Sequence, residues 1–460
     1  MLLLSLPFVA TLGLILWRTP VPLTEAVAIL EDVAQYDVTR FLVPDTSYYR
    51  PVFYLTMSAI WHGAGHGAAS LDTRLALIKL VQIGAVGALF ALFVSHLRPR
   101  TLLEAGAAAA AVAVLAGSPG FQDNLEIPLS YTTVGMPVAL GVLMLLERRA
   151  TWVHGPLIVA LTLLAVGFKE QGLVIVPVVL VAWWAGAPGV TRRTAVVLGS
   201  LSVAYVVIRL TARREGLPLF EQAIGLGFTQ MEPSEAAARF GTFPYGIYAY
   251  NGLATILNVL FAEPTRGVFR LTRLLMGGAL DWWCVVQFTS SAAVTALIAW
   301  RGTRIVRDAV RNGWSHEARV YAMLVAALLA CGALSFDYSR DRLGGMALVF
   351  YAVAAFHALH AALARAADAP RARAVAAGIA LMTLTGMWQT RTFATLEYAR
   401  YTADVNQRQW LTMLPERRRE FAARPVYLGI MDSMVEQGTN PSTAHRTRYP
   451  ARVNRVLGMP

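Results

Sequence analysis

The sequence predicts an all-α polytopic membrane protein, and three observations carry that prediction. Hydrophobic residues make up 56% of the chain and charged residues only 15%, with a mean hydropathy of +0.51, whereas an ordinary soluble domain carries roughly 25% charge. Apolar runs recur along most of the length, and short arginine clusters separate them. The 460 residues leave room for about ten spans of ~20 residues plus loops and one small soluble piece.

The net charge of +12 does not point to nucleic acid. All but two of the 40 basic residues are arginine, the exceptions being Lys79 and Lys169. Within the apolar region they cluster between runs, as topology signals do. Cys284 and Cys331 both lie inside apolar segments, which supports packing and neither a disulfide framework nor a thiolate metal site.

In chain order, Met1 to Trp17 is apolar with no small-residue cleavage site before Arg18, so it reads as a retained first helix with a cytoplasmic N-terminus. Pro20 and Pro22 precede an amphipathic helix with Ala26, Ile29, Leu30 and Val33 as its apolar stripe. Glu25, Asp32 and Gln35 share another face, and the helix is expected on the membrane surface. Glu31 and Asp32 would point about 100° apart, so one of them, Asp32 by preference, faces a given cavity.

The stretch Glu31–Pro51 holds four carboxylates, Glu31, Asp32, Asp37 and Asp45, ahead of Tyr48-Tyr49-Arg50-Pro51. Val52 to Trp61 is too short to span and reads as a second surface helix. His62 and His66 have helical metal-pair spacing, but Gly63 and Gly65 between them weaken a helix. Further spans are expected at 75–94, 102–115, 134–146, 157–168, 173–184, 195–210, 280–300, 320–334, 346–363 and 374–387. Together with the first helix that makes about eleven, with basic and acidic loops alternating in side.

The expected organisation is a membrane domain over residues 1–390, with a first outer loop at 18–74 and a large outer loop at 213–277. In that second loop, 253–262 lies on or dips into the membrane. Residues 391–460 form a small extracytoplasmic segment, with a short amphipathic helix around Trp410, Leu411 and Leu414 and a strand at 426–430.

On this topology Glu31/Asp32, Asp123/Glu126, Lys169-Glu170 and Arg340/Arg342 fall on one face of the membrane. A carboxylate beside a membrane cavity can serve as general base for a hydroxyl, and nearby cations can neutralise a departing phosphate. An acidic pair in the first outer loop, then Tyr49-Arg50-Pro51 with a surface helix, then Lys169-Glu170 opening a membrane helix, resembles the C-type glycosyltransferases, the GT-C superfamily. Protein O-mannosyltransferases and lipid A aminoarabinose transferases are relatives within it.

The resemblance implies an inverting transferase that takes a sugar from a polyprenyl-phosphate carrier and passes it to a protein, lipid or glycan. It implies Asp32 as catalytic base with Glu31 beside it, and Lys169, Arg342, Arg50 and Arg340 as contacts to the donor phosphate. Asp123, Glu126 and Glu170 would orient the acceptor or a divalent metal (Mg or Mn), and Tyr48 and Tyr49 would stack on substrate. The acidic pair is Glu-Asp here, where the family usually has Asp-Asp or Asp-Glu, so which carboxylate is the base stays open. The implied setting is a bacterial inner membrane with the active site facing the periplasm, and partners would be lipids and no nucleic acid. Competing readings are a transporter or flippase for a lipid-linked sugar, and an O-antigen ligase or polymerase. The first predicts broken helices and charge near the bilayer middle, and the second needs no first-loop acid.

Overall fold

The computed structural model of the protein describes residues 2–19, 25–42, 50–63, 71–123, 125, 131–211, 224–226, 229–231, 233–241, 245–261, 276–277 and 282–420. Helix α1 (Leu2–Arg18) is followed by α2 (Glu25–Gln35), a 3₁₀ turn (Val38–Leu42) and α3 (Pro51–Gly63). Next come α4 (Leu71–Leu97), α5 (Leu102–Gly117), the short α6 (Pro119–Asp123), α7 (Tyr131–Leu146) and α8 (His154–Phe168). A second 3₁₀ turn, Glu170–Val174, opens α9 (Ile175–Trp184), and α10 (Arg192–Thr211) follows. Strands β1 (Ile224–Leu226) and β2 (Thr229–Met231) pair antiparallel ahead of α11 (Pro233–Phe240) and α12 (Tyr245–Phe261). The last described elements are α13 (Trp282–Asn312), α14 (His316–Leu334), a third 3₁₀ turn (Asp341–Gly344), α15 (Gly345–Ala367) and α16 (Arg371–Glu420).

This is a helical membrane protein. Among the described residues four segments are long and apolar enough to cross a bilayer: Thr73–Leu97, Trp282–Asn312, His316–Leu334 and Asp341–Ala367. Shorter apolar helices stand at Phe8–Arg18, Leu102–Gly117, Val134–Leu146, His154–Phe168 and Glu170–Trp184. A helix occupies every position where the apolar runs predict one, and the β1–β2 hairpin is a small addition within the loop 213–277.

The helix ends follow from local chemistry. Thr101 caps α5 by accepting from the Glu104 amide at 3.2 Å, while the Glu104 carboxylate takes the Thr101 amide at 3.0 Å, a reciprocal capping box. Ser315 caps α14 by its side chain alone, accepting from the Ala318 amide at 3.1 Å. Gly313, with φ of +81°, ends α13 in the left-handed conformation that only glycine adopts freely.

Helix α15 is the centre of the bundle. It packs on α5, α7, α13, α14 and α16 and is buried from Gly345 to Phe356 without a break. Ala347, Ala352, Ala354, Ala355 and Ala358 keep its surface low, and the alanines of α5 match them, so the two backbones approach closely. Where α5 ends, a Cβ on Gly117 would lie 2.7 Å from the Trp388 carbonyl oxygen of α16. Cys284 and Cys331 are buried and unbridged.

Two boundaries differ from the sequence reading. The apolar piece at 253–262 is the second half of a longer helix, α12, which packs against α13, α14 and the Asp341 turn. The helix expected around Trp410 is the end of α16, which runs unbroken from Arg371 through residue 391 to Glu420. Between Gly386 and Pro415 the chain holds neither glycine nor proline, so no helix breaker stands between residue 391 and Trp410. The strand expected at 426–430 lies outside the described residues.

Candidate functional site

The site forms at the end of the bundle where α8 and α14 finish and α9 and α15 begin. Both junctions have the same construction. An extended basic residue, Lys169 (φ −162°, ψ 150°) or Arg340 (φ −137°, ψ 155°), is followed by an acid, Glu170 or Asp341, that opens a 3₁₀ turn leading into the next helix. Gly172 lets the first turn fold back on α8, because a Cβ there would overlap the Ala165 carbonyl carbon and the Val166 nitrogen.

Helix α3 ties the first-loop acids to this end. Arg50, just before its first turn, is buried and grips Glu170 through Nε to Oε2 at 3.2 Å and Nη2 to Oε1 at 2.9 Å. One turn further on, the Tyr54 hydroxyl donates to Asp32 Oδ2 at 3.5 Å. The stripe on α2 turns inward as its periodicity predicts, with Ile29, Leu30 and Val33 buried. Glu31 is buried and accepts from Gln35 at 3.2 Å, so the adjacent acids do face different partners. His62 contacts the Val33 carbonyl oxygen through Nε2 at 3.2 Å; His66 lies outside the described residues.

Lys169 and Arg342 are both buried, at 3% and 6% exposure. The charges of Arg50 and Lys169 act on Glu170, and those of Glu170 and Lys169 act on Asp337. Burial raises the Asp337 carboxyl to about 6, the nearby Glu170 adds to the rise, and its own and the Tyr338 amide oppose it. Burial also pushes the Tyr338 phenol up, with Glu170 reinforcing and Arg342 opposing, so this hydroxyl stays protonated. Asp123 accepts from the Arg342 amide at 2.9 Å and thereby fixes the Asp341 turn against α6. Arg340 begins that turn, its carbonyl accepting from the Leu343 amide at 3.0 Å. Glu126, Tyr48, Tyr49 and Asp45 lie outside the described residues.

Several contributors escape the sequence reading. Asn251, Thr255 and Asn258, at i, i+4 and i+7 of α12, are all buried against residues 336–341. Asn251 donates to the Phe336 carbonyl at 3.1 Å, Thr255 and Ser339 hydroxyls lie 3.0 Å apart, and Asn258 donates to Asp341 at 2.9 Å. Their helical spacing within a loop of mixed polarity is the feature that could have revealed them. Asp337 and Tyr338 carry no comparable local mark. Gln171 is buried with its Oε1 without a partner.

Among the described residues no group of three or more His, Cys, Asp or Glu converges in a way that could hold a metal ion. The donors present are arginine, lysine and tyrosine, suited to a polar, anionic ligand, and the carboxylates beside them are acceptors. Fold and site thus define a helical membrane protein with a largely buried charge cluster at one end of its bundle. Comparisons with family models, with curated proteins and with solved structures gave no match.

Proposed function

We propose that the protein is a glycosyltransferase that moves a sugar from a polyprenyl-phosphate carrier to an acceptor hydroxyl, with inversion at the anomeric carbon. The observation that supports it most is the role of α3, which joins Asp32, through Tyr54, to Arg50 and the Glu170 turn. A candidate base and a group of cations thereby share one end of the bundle.

In this reading the acceptor oxygen attacks the anomeric carbon from the face opposite the phosphate, and its proton passes to the Asp32 carboxylate. The bond from the anomeric carbon to the phosphate oxygen breaks, and its electron pair leaves with the phosphate. Lys169, Arg342, Arg50 and Arg340 stabilise that growing charge in a site shielded from water. Tyr54 orients the base, and the buried Gln171 oxygen accepts from a sugar hydroxyl. Glu170 holds Arg50 in place, and Asp123 does the same for the Asp341 turn.

The eleven-span arrangement belongs to the same proposal, with the N-terminus in the cytoplasm of a bacterial cell and the site at the periplasmic face. Arginine clusters at Arg98–Arg100, Arg148-Arg149, Arg192-Arg193 and Arg365–Arg373 then fall on the cytoplasmic side. The test is transfer: purified protein in neutral detergent is given radiolabelled polyprenyl-phosphate sugars and a membrane extract, and labelled products are separated. Label in a protein, lipid or glycan product supports the reading, and labelled carrier that is never consumed with any donor counts against it.

A further inference from the structure

Arg391 lies in α16 at 1% exposure, in a stretch whose sequence looks like the start of a polar tail. Its guanidinium rests on the Trp388 ring, 3.8 Å from the centroid. Nη1 is fully engaged, donating to the Gln287 carbonyl at 3.1 Å and to the Ser290 and Ser291 hydroxyls at 2.8 Å each. All three partners are neutral and belong to α13. Nε and Nη2 are sealed from solvent and have no partner among the described residues, and the same is true of the Trp388 indole N–H.

Three orphaned donors therefore sit within one turn of one helix, and among the described residues no carboxylate is paired with them. The protein itself shows what the Nε/Nη2 edge is suited to. Arg50 uses that edge to take both oxygens of Glu170, and Arg301 uses it to take both oxygens of Glu317, with Nε at 2.7 Å. Such forks match the spacing of two oxygens on one carboxylate or phosphate. An unpaired buried charge is costly, and inside a membrane protein it marks a functional position by default. A partner for three donors must offer several acceptor oxygens and no competing donor, which is the character of a phosphate.

We propose that Arg391 anchors a buried phosphate site between α13 and α16, its Nε–H and Nη2–H paired side-on with two phosphate oxygens beside the Trp388 N–H. The Nη1 contacts to α13 fix the guanidinium plane in advance, so little side-chain order remains to be gained on binding. Because the donors are sealed, the two helices part to admit the ligand. The site is separate from the Lys169 and Arg342 group and does not rest on the transferase reading. The phosphate is either free in solution or carried on a lipid tail.

The test follows the Tm of the purified full-length chain in neutral detergent during separate titrations with inorganic phosphate and dodecyl phosphate. The proposal expects a saturable rise of a few degrees with at least one of them. A response to inorganic phosphate identifies a free anion, and a response to dodecyl phosphate alone identifies a lipid-borne one. Arg391→Gln diminishes the rise, and Arg391→Lys, which keeps the charge and loses the fork, moves the half-point about 10-fold or more. Arg192→Gln, which removes an exposed arginine of α10, retains the rise. No response in the wild type overturns the proposal. So does a response unchanged in Arg391→Gln, or, where that variant fails to fold, in Arg391→Lys, and so does loss of the response in Arg192→Gln.

Discussion

Arg50 and Glu170, 120 residues apart in sequence, are joined by two parallel hydrogen bonds that fasten the start of α3 to the junction of α8 and α9. The Arg50 side chain is 8% exposed and that of Glu170 24%. Removing either partner leaves a charge poorly solvated, so Arg50→Met or Glu170→Met alone should lower stability by about 3 kcal/mol. The double replacement should recover most of that loss, because neither member of the pair then leaves its partner's charge unmatched. Thermal unfolding of the four proteins in one detergent measures the coupling; additive losses would mean that the pair is not linked.

Asp337 gives the stability a pH dependence whose sign follows from its surroundings. Its carboxyl titrates near about 6 in the folded chain, against about 4 in an unfolded one. The folded state binds more protons between those values. Stability from this group is therefore full below about pH 4 and is lost as the pH rises through about 6. Replacing Asp337 by Asn removes the slope, so the Tm of the wild type should fall relative to that of the variant between about pH 4 and 7. Parallel Tm curves for the two proteins would contradict the assignment.

Gly172 has no room for a side chain, since a Cβ would overlap backbone atoms of Ala165 and Val166. Gly172→Ala should displace the turn that carries Lys169 and Glu170 and cost about 3 kcal/mol or more. Gly84→Ala, where a Cβ meets nothing within 4 Å, is the matched control and should unfold with the wild type.

The proposed topology puts Asp37 and Trp152 on opposite sides of the membrane. Both are exposed, and the two native cysteines are buried, so single introduced cysteines report cleanly. In intact cells a membrane-impermeant maleimide should label Asp37→Cys and reach Trp152→Cys only after permeabilisation. Labelling of both before permeabilisation would break the span assignment.

The fold was legible to the extent that single elements announce themselves. Apolar runs closed by arginine gave the helices, and the Ile29, Leu30 and Val33 stripe gave the buried face of α2. The 100° between Glu31 and Asp32 gave their divergence, with one acid turned to Gln35 and the other to Tyr54. What stayed hidden depends on contacts distant in sequence. Asp337 owes its shifted titration to burial and to Glu170, 167 positions away by residue number (337 − 170). Arg391 is buried by α13 and by its own neighbour Trp388, which local polarity cannot foretell. The α12 stripe was obscured for a different reason: asparagine and threonine in a loop of mixed composition read as solvent-facing until their helical period is counted.

In the proposed reaction the first-loop carboxylate acts as base on an acceptor while the cations at the same end hold the donor phosphate. The most direct measurement compares the rate of sugar transfer from polyprenyl phosphate in the wild type, Asp32→Asn and Glu31→Gln, each checked for an unchanged Tm. The account predicts that Asp32→Asn lowers turnover at least about 100-fold with Glu31→Gln much less affected. Transfer that is undiminished in Asp32→Asn would contradict it.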